Sequence, residues 1–284
     1  MDRDINKLSG HIIVCGLGAT GLHCLRELIR SRTPCVGIDR DPQAIKEAAA
    51  ELANLLYVEG AADVDDVLWQ AGVERATGLI LRTRPLTDTS LIVHWLTPDH
   101  GRLATVAKGA RSAKSPFRGK LDLFYLADFS FARSRRSDLH ALREVVLRAP
   151  HETLRRDMVL LRQAAYASML IEQATETETP LPEIYALMTE FLATLCRQPP
   201  HILTVFAFEA HLLDLLGLRP DLQQARLSVE AKRLLRGLWD EDLPAISPPQ
   251  LAPGQRTEIA AFLHDRLVDH LGRPPKGRGA LFES

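Results

Sequence analysis

Short apolar runs alternate with amphipathic stretches over the first eighty residues. Residues 11–15 are apolar and lead into a glycine-rich turn, after which Leu22, Leu25, Leu28 and Ile29 recur at helical spacing. A second run, 34–38, ends at Asp39. Helical stretches at 42–52 and 65–71 flank a third run, 55–58, and residues 77–81 form a fourth. This β-α-β-α-β-α-β order predicts a parallel sheet with right-handed crossovers. From residue 78 the pattern changes to closely spaced runs at 78–84, 90–96, 102–107, 121–131 and 139–147, with turns at Pro85, 98–101 and 134–137. Five short strands in about 70 residues predict a small antiparallel barrel. Beyond it the helical period takes over at 154–174, 182–196, 202–216, 228–238 and 255–271, and the apolar stretch 202–216 is expected to be the core of an all-helical domain.

Composition changes this picture little, because 46% apolar and 25% charged residues describe an ordinary globular chain. Charge changes it more. The formal net charge of −1 conceals a block at 100–156 with 13 Lys or Arg against 5 Asp or Glu, a net of +8, between acidic regions of −4 at 1–80 and −5 at 157–284. Such a block inside a neutral protein points to a polyanion, and nucleic acid is the first partner to consider. Within it Lys108, Arg111, Lys114, Arg118 and Lys120 follow one another every two to four residues along a glycine-punctuated loop, with Phe117 among them. Cations that track a phosphate backbone beside an aromatic face that stacks a base are the physics of sequence-tolerant strand binding on an OB-fold. Arg102, Arg133, Arg135 and Arg136 complete the expected phosphate contacts, and Phe117 is the candidate stacker. Phe124, Phe129 and Phe131 lie on a predicted strand, where alternate residues face inward, and are expected in the core.

The first turn reads Gly16-Leu17-Gly18-Ala19-Thr20-Gly21, and Asp39 follows Gly21 by 18 residues at the end of the next strand. In a Rossmann-like unit Gly16 permits the tight turn and Gly18 the approach of backbone N–H groups to a pyrophosphate. Gly21 permits close packing of helix on strand, and the acid takes the ribose hydroxyls. These four residues form a candidate nucleotide site, for NAD rather than NADP because a carboxylate repels a 2′-phosphate.

Residues 11–18, 36–42 and 60–76 resemble the RCK, or TrkA-N, domain of potassium-uptake regulators. The resemblance covers residues 11–80. Ala61 stands where family members usually carry Asp, and about two further strands of that family have no counterpart, so this segment is expected to be truncated. A second resemblance is more specific. Residues 79–103, 106–111 and 114–119 look like the N-terminal OB-fold of the RecO family of DNA repair proteins, and residues 212–222 resemble the stretch that precedes that family's zinc finger. Many members carry four cysteines after it; here residues 223–228 run into the next helix with none, so no zinc is expected. The resemblance implies a recombination mediator that binds single- and double-stranded DNA, anneals strands, pairs with RecR, engages the tail of single-strand binding protein and helps load RecA. The alternative is an RCK-type regulator that senses NAD(H) or ATP.

The chain is therefore expected to be multidomain: a truncated Rossmann-like α/β segment over 1–77, an OB-fold over 78–150 and an all-α domain over 151–284. Residues 77–81 serve both resemblances, as a fourth parallel strand or as the barrel's first, and the barrel has the stronger claim because a missing strand would open a closed sheet. No hydrolase elbow, Walker lysine or HExxH spacing appears, which argues against an enzyme. Four cysteines, Cys15, Cys24, Cys35 and Cys196, show no paired CxxC spacing and are expected to stay reduced. No apolar run approaches the roughly 20 residues of a membrane span, and the start lacks a secretory signature, so a cytoplasmic, nucleoid-associated protein is expected.

Overall fold

In the computed structural model residues 2–5, 8, 11–71, 74–134, 137–243, 251–273 and 277–281 are described. After a four-residue helix Asp2–Ile5 (α1) the chain forms Ile12–Cys15 (β1), Ala19–Arg30 (α2), Cys35–Asp39 (β2), Pro42–Glu51 (α3), Leu56–Glu59 (β3) and Asp65–Gln70 (α4). The three strands make a parallel sheet in the order β1-β2-β3, with Val14 opposite Gly37 and Gly37 opposite Tyr57. Alternation along β2 sends Cys35 to a cluster with Leu25, Ile45 and Ala48, and Val36 and Ile38 to another with Val58, Val67 and Ala71. Asp41 caps α3 by accepting from the Gln43 N–H at 2.9 Å, with Pro42 beginning the helix.

The barrel strands are Glu74–Pro85 (β4), Leu91–Thr97 (β5), Gly101–Ala107 (β6), Leu126–Ala132 (β7) and Leu139–Ala149 (β8), closed in the order β4-β5-β6-β8-β7. Residues 77–81 therefore belong to the barrel, and the parallel sheet keeps three strands. The backbone supplies the reason: Leu79 and Ile80 pair with Leu96 and Trp95 of β5, while the Ile80 N–H and C=O bond Tyr125 and Phe124 on the other side. Two expectations change. The barrel is not wholly antiparallel, since β6 and β8 pair in parallel from Ala104–Leu139 to Val106–Ala141, a pairing that the long connection through β7 allows. The strand expected over 121–131 starts only at Leu126, because Phe124 adopts φ +63° in a turn and cannot continue a strand. Trp95 stacks on Phe129 with ring centroids 4.0 Å apart and donates to Thr105 Oγ1 at 2.8 Å, which satisfies its buried N–H.

The helical part comprises Thr153–Arg156 (α5), Met158–Ala174 (α6), Pro182–Arg197 (α7), Ile202–Leu215 (α8), Val229–Asp240 (α9) and Pro253–Leu271 (α10), then a short 3₁₀ turn, Gly279–Leu281. The helix expected over 154–174 is two, because the Asp157 backbone is extended and its carboxylate caps α6 through the Val159 N–H at 2.7 Å. Ten residues of α8 are buried, and eight of them share one cluster with α6, α7, α9, α10 and with Leu79, Leu81, Leu96 and Phe124 of the barrel segment. One buried member of α8 is charged. Glu209 has 0% exposure, accepts from Tyr166 Oη at 2.5 Å and is held by Arg278 Nε and Nη2 at 2.7 and 2.8 Å. Backbone proximity divides the chain into two units, Met1–Arg75 with Ser130–Ser137, and Ala76–Phe129 with Asp138–Ser284.

Candidate nucleic-acid interface

The connection from β6 to β7 is built from successive tight turns. Backbone N–H groups of Ala110, Ser112, Ser115, Arg118 and Lys120 each reach a carbonyl three residues back, and Gly109 and Gly119 take φ +68° and +74°, which glycine adopts without strain. Its middle is docked on the β4–β5 hairpin tip, where the Arg111 N–H donates to the Thr89 carbonyl at 2.9 Å and Nη1 to the Thr87 carbonyl at 3.2 Å. Phe117 anchors the loop from within. It is 6% exposed, so the ring packs into the protein, and the expectation of a free stacking face is corrected: the charges around it in sequence lie on the outer side of the turns. Phe124, Phe129 and Phe131 are buried as well, at 2%, 3% and 0% exposure.

Lys108, Arg111, Lys114 and Arg118 are exposed and Lys120 is half-buried. Among the described residues no carboxylate pairs with any of the five. The same basic block contains cations of the other kind: Arg148 pairs with Asp128, Arg155 with Asp122 at 2.9 Å and Arg156 with Glu152 at 3.6 Å. The positive charge thus divides into a paired set that braces the barrel and its first helix, and an unpaired set on one loop. Arg102, expected as a phosphate contact, also has a structural role. Its Nε donates to Thr175 Oγ1 at 2.7 Å and its Nη2 to the Thr175 carbonyl at 2.5 Å, and burial pushes its pKa down. Arg133 is exposed with its guanidinium 6.0 Å from the centre of the Phe131 ring. Arg135 and Arg136 lie outside the described residues.

Two cations escaped sequence inspection because they precede the basic block. Arg82 and Arg84 are exposed on β4, and residues two apart on a strand share a face. The only sequence signal was their alternation with Leu81 and Thr83.

In the α/β unit Gly16 takes φ +88°, and a Cβ at Gly21 would stand 1.7 Å from the Gly16 carbonyl oxygen, so the turn is as tight as the fingerprint requires. Asp39, however, accepts from the Leu17 N–H at 2.5 Å and from the Asp41 N–H at 2.9 Å. These bonds lower its pKa, and one of them occupies a backbone donor of the glycine turn that a phosphate would use. Among the described residues no group of three or more His, Cys, Asp or Glu is placed to hold a metal ion, and no helix is long and apolar enough to cross a membrane.

A closed five-stranded, OB-like barrel with an unpaired basic loop, followed by a helical domain with one buried apolar helix at its centre, defines the architectural class. The chain belongs to the recombination protein O family: the model of that family's N-terminal domain matches residues 73–151 and that of its C-terminal domain matches residues 155–228. Among curated proteins it is similar to the DNA repair protein RecO of Bacillus pumilus, 28% identical over 150 residues, 53% of this chain and 58% of that one. The RecO of Rhodopirellula baltica is 31% identical over 146 residues, 51% of this chain and 54% of the relative, and that of Exiguobacterium sibiricum 30% over 161 residues, 56% and 64%. The chain thus spans between about half and two thirds of the length of these relatives. Residues 1–72 precede both family models, and the alternative of a potassium-uptake regulator draws no support from these matches.

Proposed function

We propose that the chain is a non-enzymatic recombination mediator that binds single- and double-stranded DNA through the barrel, anneals strands and assists RecA loading, with RecR and the tail of single-strand binding protein as its partners. The observation that carries the DNA-binding step is the cluster Lys108, Arg111, Lys114, Arg118 and Lys120, exposed or half-exposed on one rigid loop with no carboxylate partner among the described residues. Exposed cations without internal counter-charges cost nothing to hand to a polyanion, and each phosphate they neutralise releases counterions. Glycine turns and the Arg111 contacts fix the loop beforehand, so little ordering entropy is lost on binding. Contacts to phosphate carry no sequence information, so binding through them is sequence-tolerant.

Reversal of Lys108, Arg111 and Arg118 to Glu tests this. All three are exposed and none supports the core, so the variant is expected to fold and to lose most of its DNA affinity in fluorescence anisotropy. Unchanged affinity would overturn the assignment. The protein also holds no stoichiometric zinc, because residues 223–228 offer no cysteine where many relatives place a zinc finger; elemental analysis that found one zinc per chain would contradict this.

A further inference from the structure

On the outer face of the barrel, strand register gathers three guanidinium groups around one imidazole. Arg82 is the direct antiparallel neighbour of His94, Arg84 lies two residues further along β4, and Arg102 pairs with Leu96, two residues along β5 from His94. Direct neighbours across a sheet have Cβ atoms about 5 Å apart and diagonal ones roughly 7–8 Å, within reach of long side chains. That this face points outward follows from β6, where Leu103, Thr105 and Ala107 are buried while Arg102, Ala104 and Val106 are only partly so. The acid that meets the patch is Glu172 of α6, 3.3 Å from Arg82.

Three cations against one carboxylate leave an excess of positive charge, and one polar atom beneath it is unsatisfied. His94 Nε2 is buried with no hydrogen-bond partner, while Glu172 Oε1 is taken up by its ion pair with Arg82. Arg84 is exposed and has no charged partner among the described residues. Burial, then Arg82, Arg84 and Arg102, hold the His94 pKa down at about 4, so the ring is neutral at neutral pH. A buried ring nitrogen under uncompensated guanidinium groups lacks an anionic oxygen, which would both accept its hydrogen bond and balance the charge.

We propose that Arg82, Arg84 and Arg102, grouped around His94 on the β4–β5–β6 face, form a phosphate-binding site that takes a phosphodiester group of the bound strand, in addition to the contacts of the basic loop. Arg102 keeps its bonds to Thr175 and still presents free N–H groups, while Arg84 supplies the exposed arm. The site rests on the DNA-binding proposal and extends the path of the strand from the loop, across the hairpin tip that Arg111 grips, onto the barrel wall.

The test titrates the full chain with a short oligothymidylate and, separately, with inorganic phosphate, following the His94 ring resonances by NMR, and measures oligonucleotide affinity against salt for wild type, Arg84→Gln and Arg82→Gln/Arg84→Gln. The expected result is a His94 shift on oligonucleotide addition and a salt slope reduced by about 1.4 in the double variant, because each single-strand phosphate contact contributes about 0.7. A shift with inorganic phosphate as well assigns the site to phosphate in general; a shift with oligonucleotide alone assigns it to the strand. If the double variant unfolds, Arg84→Gln, which breaks no ion pair among the described residues, is expected to lower the slope by about 0.7. Resonances unmoved by either probe, with an unchanged slope in a chain whose binding the loop reversal abolishes, would overturn this site and leave the DNA-binding proposal standing. A wild-type chain that binds no DNA would instead refute that proposal, and with it this one.

Discussion

Arg148 and Lys108 carry the same charge in the same stretch of sequence, and what separates their roles is whether a carboxylate lies within reach. Arg148 meets Asp128 and Lys108 meets none among the described residues, a difference set by tertiary structure and invisible to a count of residues. Phe117 misleads a sequence reader for the same reason, since it is drawn into the interior of its own loop, and the bonds of Arg102 to Thr175 are equally invisible in sequence. His94 gives a testable consequence at this scale. Its pKa in the folded protein is about 4 against 6.5 as the ordinary value, so between those limits the unfolded chain binds a proton that the folded one does not. The neutral ring's share of stability is complete above pH 6.5 and is lost as the pH falls toward 4. Urea denaturation of His94→Gln at pH 7, 5.5 and 4.5 is expected to show a shallower loss of stability than wild type; parallel profiles would contradict this.

Among the elements, those with strong periodicity were legible. Three strand–helix pairs, the two hairpin strands β4 and β5, and helices α7 to α10 fall where apolar spacing places them. Non-local pairing was not: nothing in residues 104–106 or 139–141 announces that β6 and β8 run in parallel. The break between α5 and α6 turns on the Asp157 cap inside an unbroken helical period. Nor did the sequence reveal why an apolar helix should carry Glu209. Its partner Arg278 lies 69 residues away beside the closing 3₁₀ turn, and the pair ties that turn to α8 with 8% and 0% side-chain exposure. Removal of one member of a buried pair leaves an uncompensated charge, so Arg278→Leu is expected to cost about 3–5 kcal/mol. Adding Glu209→Gln, which keeps an acceptor for Tyr166, should restore part of it in a double-mutant cycle. Strict additivity in chemical denaturation would show that the two residues act independently.

For the whole molecule, the expected division rests on a periodicity switch near residue 78, and the uneven charge points at nucleic acid. The unit Ala76–Phe129 with Asp138–Ser284 brings the basic loop, the β4–β5 hairpin and the helical core into one compact body, and the family match falls almost wholly within it. The glycine turn of the other unit was legible as a motif, whereas the engagement of Leu17 by Asp39 was not, because an acid at that spacing looks the same whether it faces a ribose or a backbone N–H. The central claim is that unpaired barrel cations bind DNA through its phosphates. The measurement that tests it most directly is the affinity of the full chain for an oligonucleotide as a function of salt, with and without reversal of Lys108, Arg111 and Arg118 to Glu. Neutralisation of about five to seven phosphates predicts a slope of log affinity against log salt of roughly −4 to −6, and near abolition of binding in the reversed variant. A slope near zero, or an affinity that survives the reversal, would contradict it.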